Sequence, residues 1–193
     1  MLKNAGLVGS ILFFATAVAI SLLGWIGPDL TISQHIAHYE TAIWTFRIIG
    51  AIAAALIGIN LLGYVKPHFG FSRVFTVISS LMCIGALLVA LFPHTIGISS
   101  MIHNISAYLL FIVGQLLSIV ITLGLWQKAG RTLKIFGVSY FIYAIFIGVL
   151  LVFYPEIFQA NVFYLETVYL LALFVLISAL SYLKLKRVRI VGR

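Results

Sequence analysis

All four acidic residues of this sequence lie at one end of six long apolar segments, and all twelve basic residues except Arg47 lie at the other end. Such segregation is typical of a polytopic membrane protein, because short loops rich in Lys and Arg stay on the cytoplasmic side. We therefore predict an all-α fold with six transmembrane helices in one bundle and both termini cytoplasmic. The end that carries the acids is called the acidic end below, and the opposite one the basic end.

Composition and segment length support this prediction. The sequence is 63% hydrophobic and 8% charged, with a mean hydropathy of +1.21. A bilayer core of about 30 Å takes roughly 20 helical residues to cross. A transmembrane β-barrel requires alternating apolar and polar positions, which the continuous apolar run from Ile48 to Leu62 lacks. Residues 1–193 are thus predicted to form one transmembrane domain, with helices at about 5–26, 41–64, 74–92, 102–126, 135–154 and 162–183.

The distribution of charge also bears on location and partners. The first segment is expected to be a retained helix, because its apolar run continues through Trp25 and exceeds the length of a signal peptide core. The predicted location is the cytoplasmic (inner) membrane of a bacterium or archaeon. Nucleic acid is excluded as a partner because the basic residues lack interleaved aromatic stacking platforms. Membrane lipids are the predicted partners, and a homo-oligomer or a membrane-complex partner stays open.

Arg47 is the exception to the charge segregation. The second segment carries small residues at helical spacing, which favour close helix packing: Gly50, Ala54 and Gly58. Arg47 lies one turn before this stripe, so we expect it to face protein. A lone guanidinium in lipid is costly, and its predicted partner is therefore Glu166 or, as the alternative, Glu40. The alternative role is binding of an anion such as a lipid phosphate, which a guanidinium matches in geometry.

A polar cluster at the acidic end is the strongest functional indication. His35 and His38 are spaced i, i+3 and would share a helix face if residues 33–41 are helical, a spacing that can chelate a metal. His103 is expected at the start of the fourth helix, pointing into the bundle. Nitrogen and oxygen ligands of this kind suit zinc, or serve as a general acid and base. The predicted metal ligands are His35, His38, His103 and Asp29, and the catalytic pair, if the protein is an enzyme, is His103 and Glu166.

The fourth segment carries a second polar pattern. Gln115, Ser118 and Thr122 follow each other at i, i+3 and i+7, which places them on one face of a helix. Such a stripe predicts hydrogen bonds between helices, and a narrow wetted path is the alternative. No histidine lies deep in a predicted helix, which argues against a haem carrier.

Two stretches of the sequence resemble a known family. Leu91-Phe92-Pro93-His94, followed by Gly97, Met101-Ile102-His103-Asn104 and Ala107, is similar to the "FP…G…H…A" stretch of the bacterial and archaeal six-helix family called domain of unknown function 998. Leu30-Thr31-Ile32-Ser33 resembles the polar first loop of that family. The family in turn resembles the Frag1/DRAM/Sfk1 group, which implies a role with lipids or lipid anchors. The resemblance marks Pro93, His103 and Ser33 as family positions, whereas His94 stands where an acid is usual.

These patterns favour an integral membrane protein whose pocket at the acidic end binds a lipid or amphiphile. Its predicted ligand-binding residues are Arg47, His103, Glu166, Ser33 and His38. One alternative is a histidine- or metal-assisted hydrolase or transferase acting on lipids at the outer leaflet, with zinc as the possible cofactor. The other alternative is an accessory structural subunit of a membrane complex.

Overall fold

The computed structural model describes residues 2–69, 72–92, 94, 97–124 and 130–180, without the side chains of Ser72 and Thr132. Helices are the regular secondary structure of the described residues, and six of them are long and apolar enough to cross a membrane. The predicted all-α polytopic fold is thereby confirmed. The six membrane helices, named first to sixth below, are Leu2–Leu23, Glu40–His68, Ser72–Leu91, Ile98–Gly124, Arg131–Phe153 and Val162–Leu180.

Two of these helices contain a wider turn. The second continues from its α-helical part Glu40–Gly58 through a π-helical segment, Ile59–Val65. The fourth has a π-helical segment, Leu109–Val113, between two α-helical halves. A helix can cross lipid because it satisfies its own backbone hydrogen bonds. A π turn leaves one backbone carbonyl available to a side chain. Nothing in the sequence pattern predicted either segment.

The bundle is arranged as a ring. The first helix packs against the second and the sixth, the third packs between the second and the fourth, and the fifth contacts the fourth and the sixth. The fifth helix is peripheral: only 11% of its most apolar stretch is buried, against 33–44% in the other five. This looseness leaves space beside the fifth helix.

Small residues allow the other helices to approach closely. A Cβ added to Gly9 would lie 2.7 Å from the carbonyl oxygen of Ala53, and one added to Gly50 would lie 2.8 Å from the Cβ of Ala90. Backbone approach of this kind gives membrane helices the van der Waals contact that replaces the hydrophobic effect between them. The stripe predicted around Gly50 therefore does pack against the third helix.

A short helix closes the acidic end between the first and second membrane helices. It runs from Ile32 to Ala37, and Thr31 caps it through a capping box with Gln34. The helix therefore ends at Ala37 and does not extend to residue 41, the last residue of the helical range considered from the sequence. Trp25 and Trp44 are partly exposed at this end, as expected of tryptophans at a membrane interface. Trp126 lies outside the described residues.

Candidate functional site

A crevice of about 540 Å³ lies between the fourth, fifth and sixth helices. Its volume is in the usual range for sites that bind small molecules. Tyr108 and Ile112 at its rim are 65% and 58% exposed, so the crevice opens sideways to the surface of the bundle that lipid covers. Most of its lining is apolar, and the polar members are Asn104, Tyr108, Gln115, Glu166 and Tyr169.

The crevice exists because the fifth helix presents small residues where a larger side chain would fill the space. Ala144 and Gly148 both line it. A Cβ added to Gly148 would find no atom within 4 Å, so this glycine is not required for close packing. At the far wall, the π-helical segment of the fourth helix exposes the carbonyl of Phe111, which accepts a hydrogen bond from the Tyr169 hydroxyl. This bond ties the fourth helix to the sixth behind the crevice.

Gln115 carries a buried side-chain amide at the crevice. Neither its amide nitrogen nor its amide oxygen makes a hydrogen bond with the described residues. Ser118 donates only to the backbone oxygen of Gln115, and the Thr122 hydroxyl is also without a partner. Within the described ranges this stripe therefore makes none of the hydrogen bonds between helices that were predicted. Buried polar groups are normally paired, so an unpaired amide in a crevice points to water or a ligand.

Glu166 lies where the crevice meets a second, smaller cavity, and it lines both. One carboxyl oxygen, Oε2, accepts a hydrogen bond of 2.9 Å from the backbone N–H of Ile32. The other oxygen makes no hydrogen bond with the described part of the chain. The backbone contact holds the carboxyl group in place and leaves one oxygen free to face a ligand.

The smaller cavity, of about 40 Å³, brings together three residues that the sequence singled out: Ser33, His103 and Glu166. A cavity of this size holds about one water molecule, and it has polar groups to bind that water. Ser33 belongs to the short helix and makes a 3.0 Å contact with the Thr31 hydroxyl. Ser33 and Glu166 are more than 130 residues apart in the sequence, so their proximity cannot be seen there. It results from the packing of the sixth helix against the short helix.

His103 points into the bundle, as predicted, and is only 3% exposed. Its Nδ1 lies 2.7 Å from the carbonyl oxygen of Phe92. A carbonyl only accepts, so Nδ1 carries the proton and, in the neutral ring, Nε2 offers a lone pair. The edge of the His94 ring packs against this ring, with centroids 5.5 Å apart. The catalytic roles proposed for His103 and Glu166 stay predictions.

Arg47 does not pair with an acid among the described residues, which corrects the expected ion pair with Glu166 or Glu40. Its Nε donates a 3.0 Å hydrogen bond to the carbonyl oxygen of Leu91, and its guanidinium lies 4.7 Å from the centre of the Trp44 ring. Leu91 ends the third helix, where carbonyls lack partners within the helix. Arg47 therefore caps a helix end, and it lines neither cavity.

Replacement of Arg47 by methionine is expected to lower the free energy of unfolding by about 1–3 kcal/mol, because a charge-assisted bond to a backbone carbonyl is lost. It should leave amphiphile affinity unchanged. Denaturant titration in detergent, followed by circular dichroism, measures the first quantity. Arg73→Met is the control, since Arg73 is exposed at the basic end. Unchanged stability of Arg47→Met relative to this control would contradict the capping role.

The predicted metal ligands do not converge. His35 is buried, with Nδ1 2.8 Å from the Thr31 carbonyl and Nε2 accepting from the backbone N–H of Gly27 at 3.5 Å. His38 follows the end of the short helix, is exposed and packs against Tyr39, so the two histidines have different surroundings. Asp29 is exposed, and its backbone carbonyl oxygen accepts a hydrogen bond from the side-chain amide of Gln159. Within the described ranges, no group of three or more His, Cys, Asp or Glu is placed to hold a metal ion, and zinc stays a prediction.

No protein-family model, curated protein or solved structure matches this chain. Of the positions marked by the family resemblance, His103 and Ser33 face the smaller cavity, and Pro93 lies outside the described residues. The resemblance stays a prediction.

Proposed function

We propose that this multi-pass membrane protein binds a lipid or amphiphile in the crevice between its fourth, fifth and sixth helices. The observation that carries the proposal is a sideways-opening crevice of about 540 Å³ whose apolar walls contain the unpaired amide of Gln115 and the half-paired carboxyl of Glu166. An apolar site that opens to lipid suits a ligand that partitions into the membrane. The bias of Lys and Arg supports placing the acidic end outside a bacterial or archaeal cytoplasmic membrane.

Apolar contact alone does not make such a site selective. Lipid tails are as apolar as the crevice walls, so moving an acyl chain from the bilayer into the crevice gains little from the hydrophobic effect. Affinity above that of bulk lipid has to come from shape and from polar groups that bulk lipid does not offer. Gln115 supplies a buried amide without a partner among the described residues, and Glu166 supplies a carboxyl oxygen beside the one that Ile32 binds.

The binding test is a titration of the protein in phosphatidylcholine nanodiscs with a long-chain alcohol that carries an anthroyloxy fluorophore. We expect a saturable fluorescence change at about one alcohol per protein, reversed by unlabelled alcohol. Empty nanodiscs of the same composition give the signal from partitioning alone. A signal that rises without saturation and equals that of empty discs would contradict the proposal.

A further inference from the structure

We infer that the ligand carries a hydrogen-bond donor, a hydroxyl or an ammonium group, and no phosphate at the Glu166 end of the crevice. This inference rests on the proposed function and specifies its ligand. It replaces the phosphate-binding role that the sequence suggested for Arg47, which the structure places at the end of the third helix.

The first argument is the charge of the lining. Among the described residues that line the crevice there is one acid, Glu166, and no Lys, Arg or His. Proteins bind phosphate through guanidinium or ammonium groups or through helix N-termini. The wall beside Glu166 is the middle of the fourth helix, where backbone N–H groups are already bonded within the helix. A phosphate here would be desolvated without a compensating cation or helix N-terminus.

The second argument is that the one cation at this end of the bundle is already engaged. Arg47 lies between the second and third helices, where it donates to Leu91 and contacts the Trp44 ring. The crevice lies between the fourth, fifth and sixth helices. Reaching it would require Arg47 to leave a helix end whose carbonyl would then be unpaired. We therefore expect no guanidinium in the crevice.

The third argument is the free oxygen of Glu166. Oε2 is held by the backbone N–H of Ile32, and the other oxygen has no hydrogen bond with the residues that the structure describes. A carboxyl oxygen in an apolar site is costly unless a donor reaches it. A ligand hydroxyl donates to this oxygen, and a ligand ammonium both donates to it and neutralises its charge. The two chemistries satisfy the same oxygen, and experiment separates them.

The experiment is competition against the labelled alcohol in nanodiscs, using three competitors with the same sixteen-carbon chain: a monoacylglycerol, an alkylamine and a lysophosphatidic acid. We expect the lysophosphatidic acid to compete at least about tenfold more weakly than the better of the other two, a factor that corresponds to about 1.4 kcal/mol. Equal or stronger competition by the lysophosphatidic acid would overturn the inference. Binding of the labelled alcohol with no preference among the three would overturn it too, while the proposed function would stand.

Glu166→Gln then identifies the donor. The amide oxygen can still accept from Ile32 and the side chain keeps its size, so the fold should survive. If the ligand is an amine, the variant weakens its competition by at least about tenfold, because the neutral amide no longer pairs with the ammonium. If it is an alcohol, its competition changes by less than about threefold, because its hydroxyl can accept from the amide N–H that replaces the free oxygen.

The matched control is Glu156→Gln. Glu156 is exposed on the short helix Pro155–Ala160 and does not line the crevice, yet its substitution removes the same charge from the same end of the protein. If Glu156→Gln weakens amine competition, or strengthens lysophosphatidic acid competition, as much as Glu166→Gln does, the selectivity comes from surface charge. The inference would then be overturned. Absence of any saturable binding in the wild type would instead contradict the proposed function itself.

Discussion

Replacing Gly148 by phenylalanine is expected to weaken amphiphile binding strongly while leaving the fold intact. Gly148 lines the crevice, and a Cβ at this position would meet no atom within 4 Å. The phenyl ring can therefore occupy the crevice without displacing a helix, and it removes the space that the ligand's chain requires. We expect the affinity for the labelled alcohol to fall at least about tenfold. The phenyl ring takes the place of part of the ligand's chain, and a tenfold loss corresponds to about 1.4 kcal/mol of binding free energy. Nanodisc titration measures this change.

The control for this variant is Val149→Phe. Val149 is the next residue of the fifth helix, is 41% exposed and does not line the crevice. Its substitution adds a phenyl ring to the same helix on a face that lipid covers, so affinity should stay within about twofold of the wild type. If the Gly148 variant binds the alcohol as tightly as the Val149 variant does, the ligand is not in the crevice.

Replacing Gly85 by alanine is expected to destabilise the packing of the third helix against the fourth. An added Cβ at this position of the third helix would lie 2.8 Å from the backbone nitrogen of Leu110 and 3.0 Å from the carbonyl oxygen of Ser106. Backbone atoms cannot rotate away as a side chain can, so the third and fourth helices must separate. Overpacking of this kind costs about 1–3 kcal/mol, against which the higher helix propensity of alanine recovers at most about 1 kcal/mol. Denaturant unfolding in detergent gives the net loss.

Gly58→Ala provides the comparison. Its added Cβ would lie 3.6 Å from the Sγ of Cys83, an ordinary contact distance, and Gly58 is buried in the second helix as Gly85 is in the third. We expect this variant to be neutral or slightly more stable than the wild type. Equal stability of the two variants would mean that the third and fourth helices do not approach as closely as described.

Sequence reasoning anticipated some residues of the site and missed others. It selected Glu166 and His103 because ionisable groups are conspicuous in an apolar sequence, and it selected Ser33 through the family resemblance. It missed the role of Gly148, since a glycine that borders open space has the same sequence signature as one that packs closely. It also assigned Arg47 an acidic partner, although a helix-terminal carbonyl satisfies a guanidinium equally well and cannot be recognised from residue types.

The sequence by itself determined the number of membrane helices, their approximate positions and their division into an acidic and a basic end. These properties follow from the hydropathy of consecutive residues and from the charges of short loops, both of which are local along the chain. Only the tertiary structure decided that Ser33, His103 and Glu166 share a cavity and that a crevice opens beside the fifth helix. Those features depend on how distant helices pack, and in lipid the packing is set by small differences in side-chain volume that hydropathy does not record.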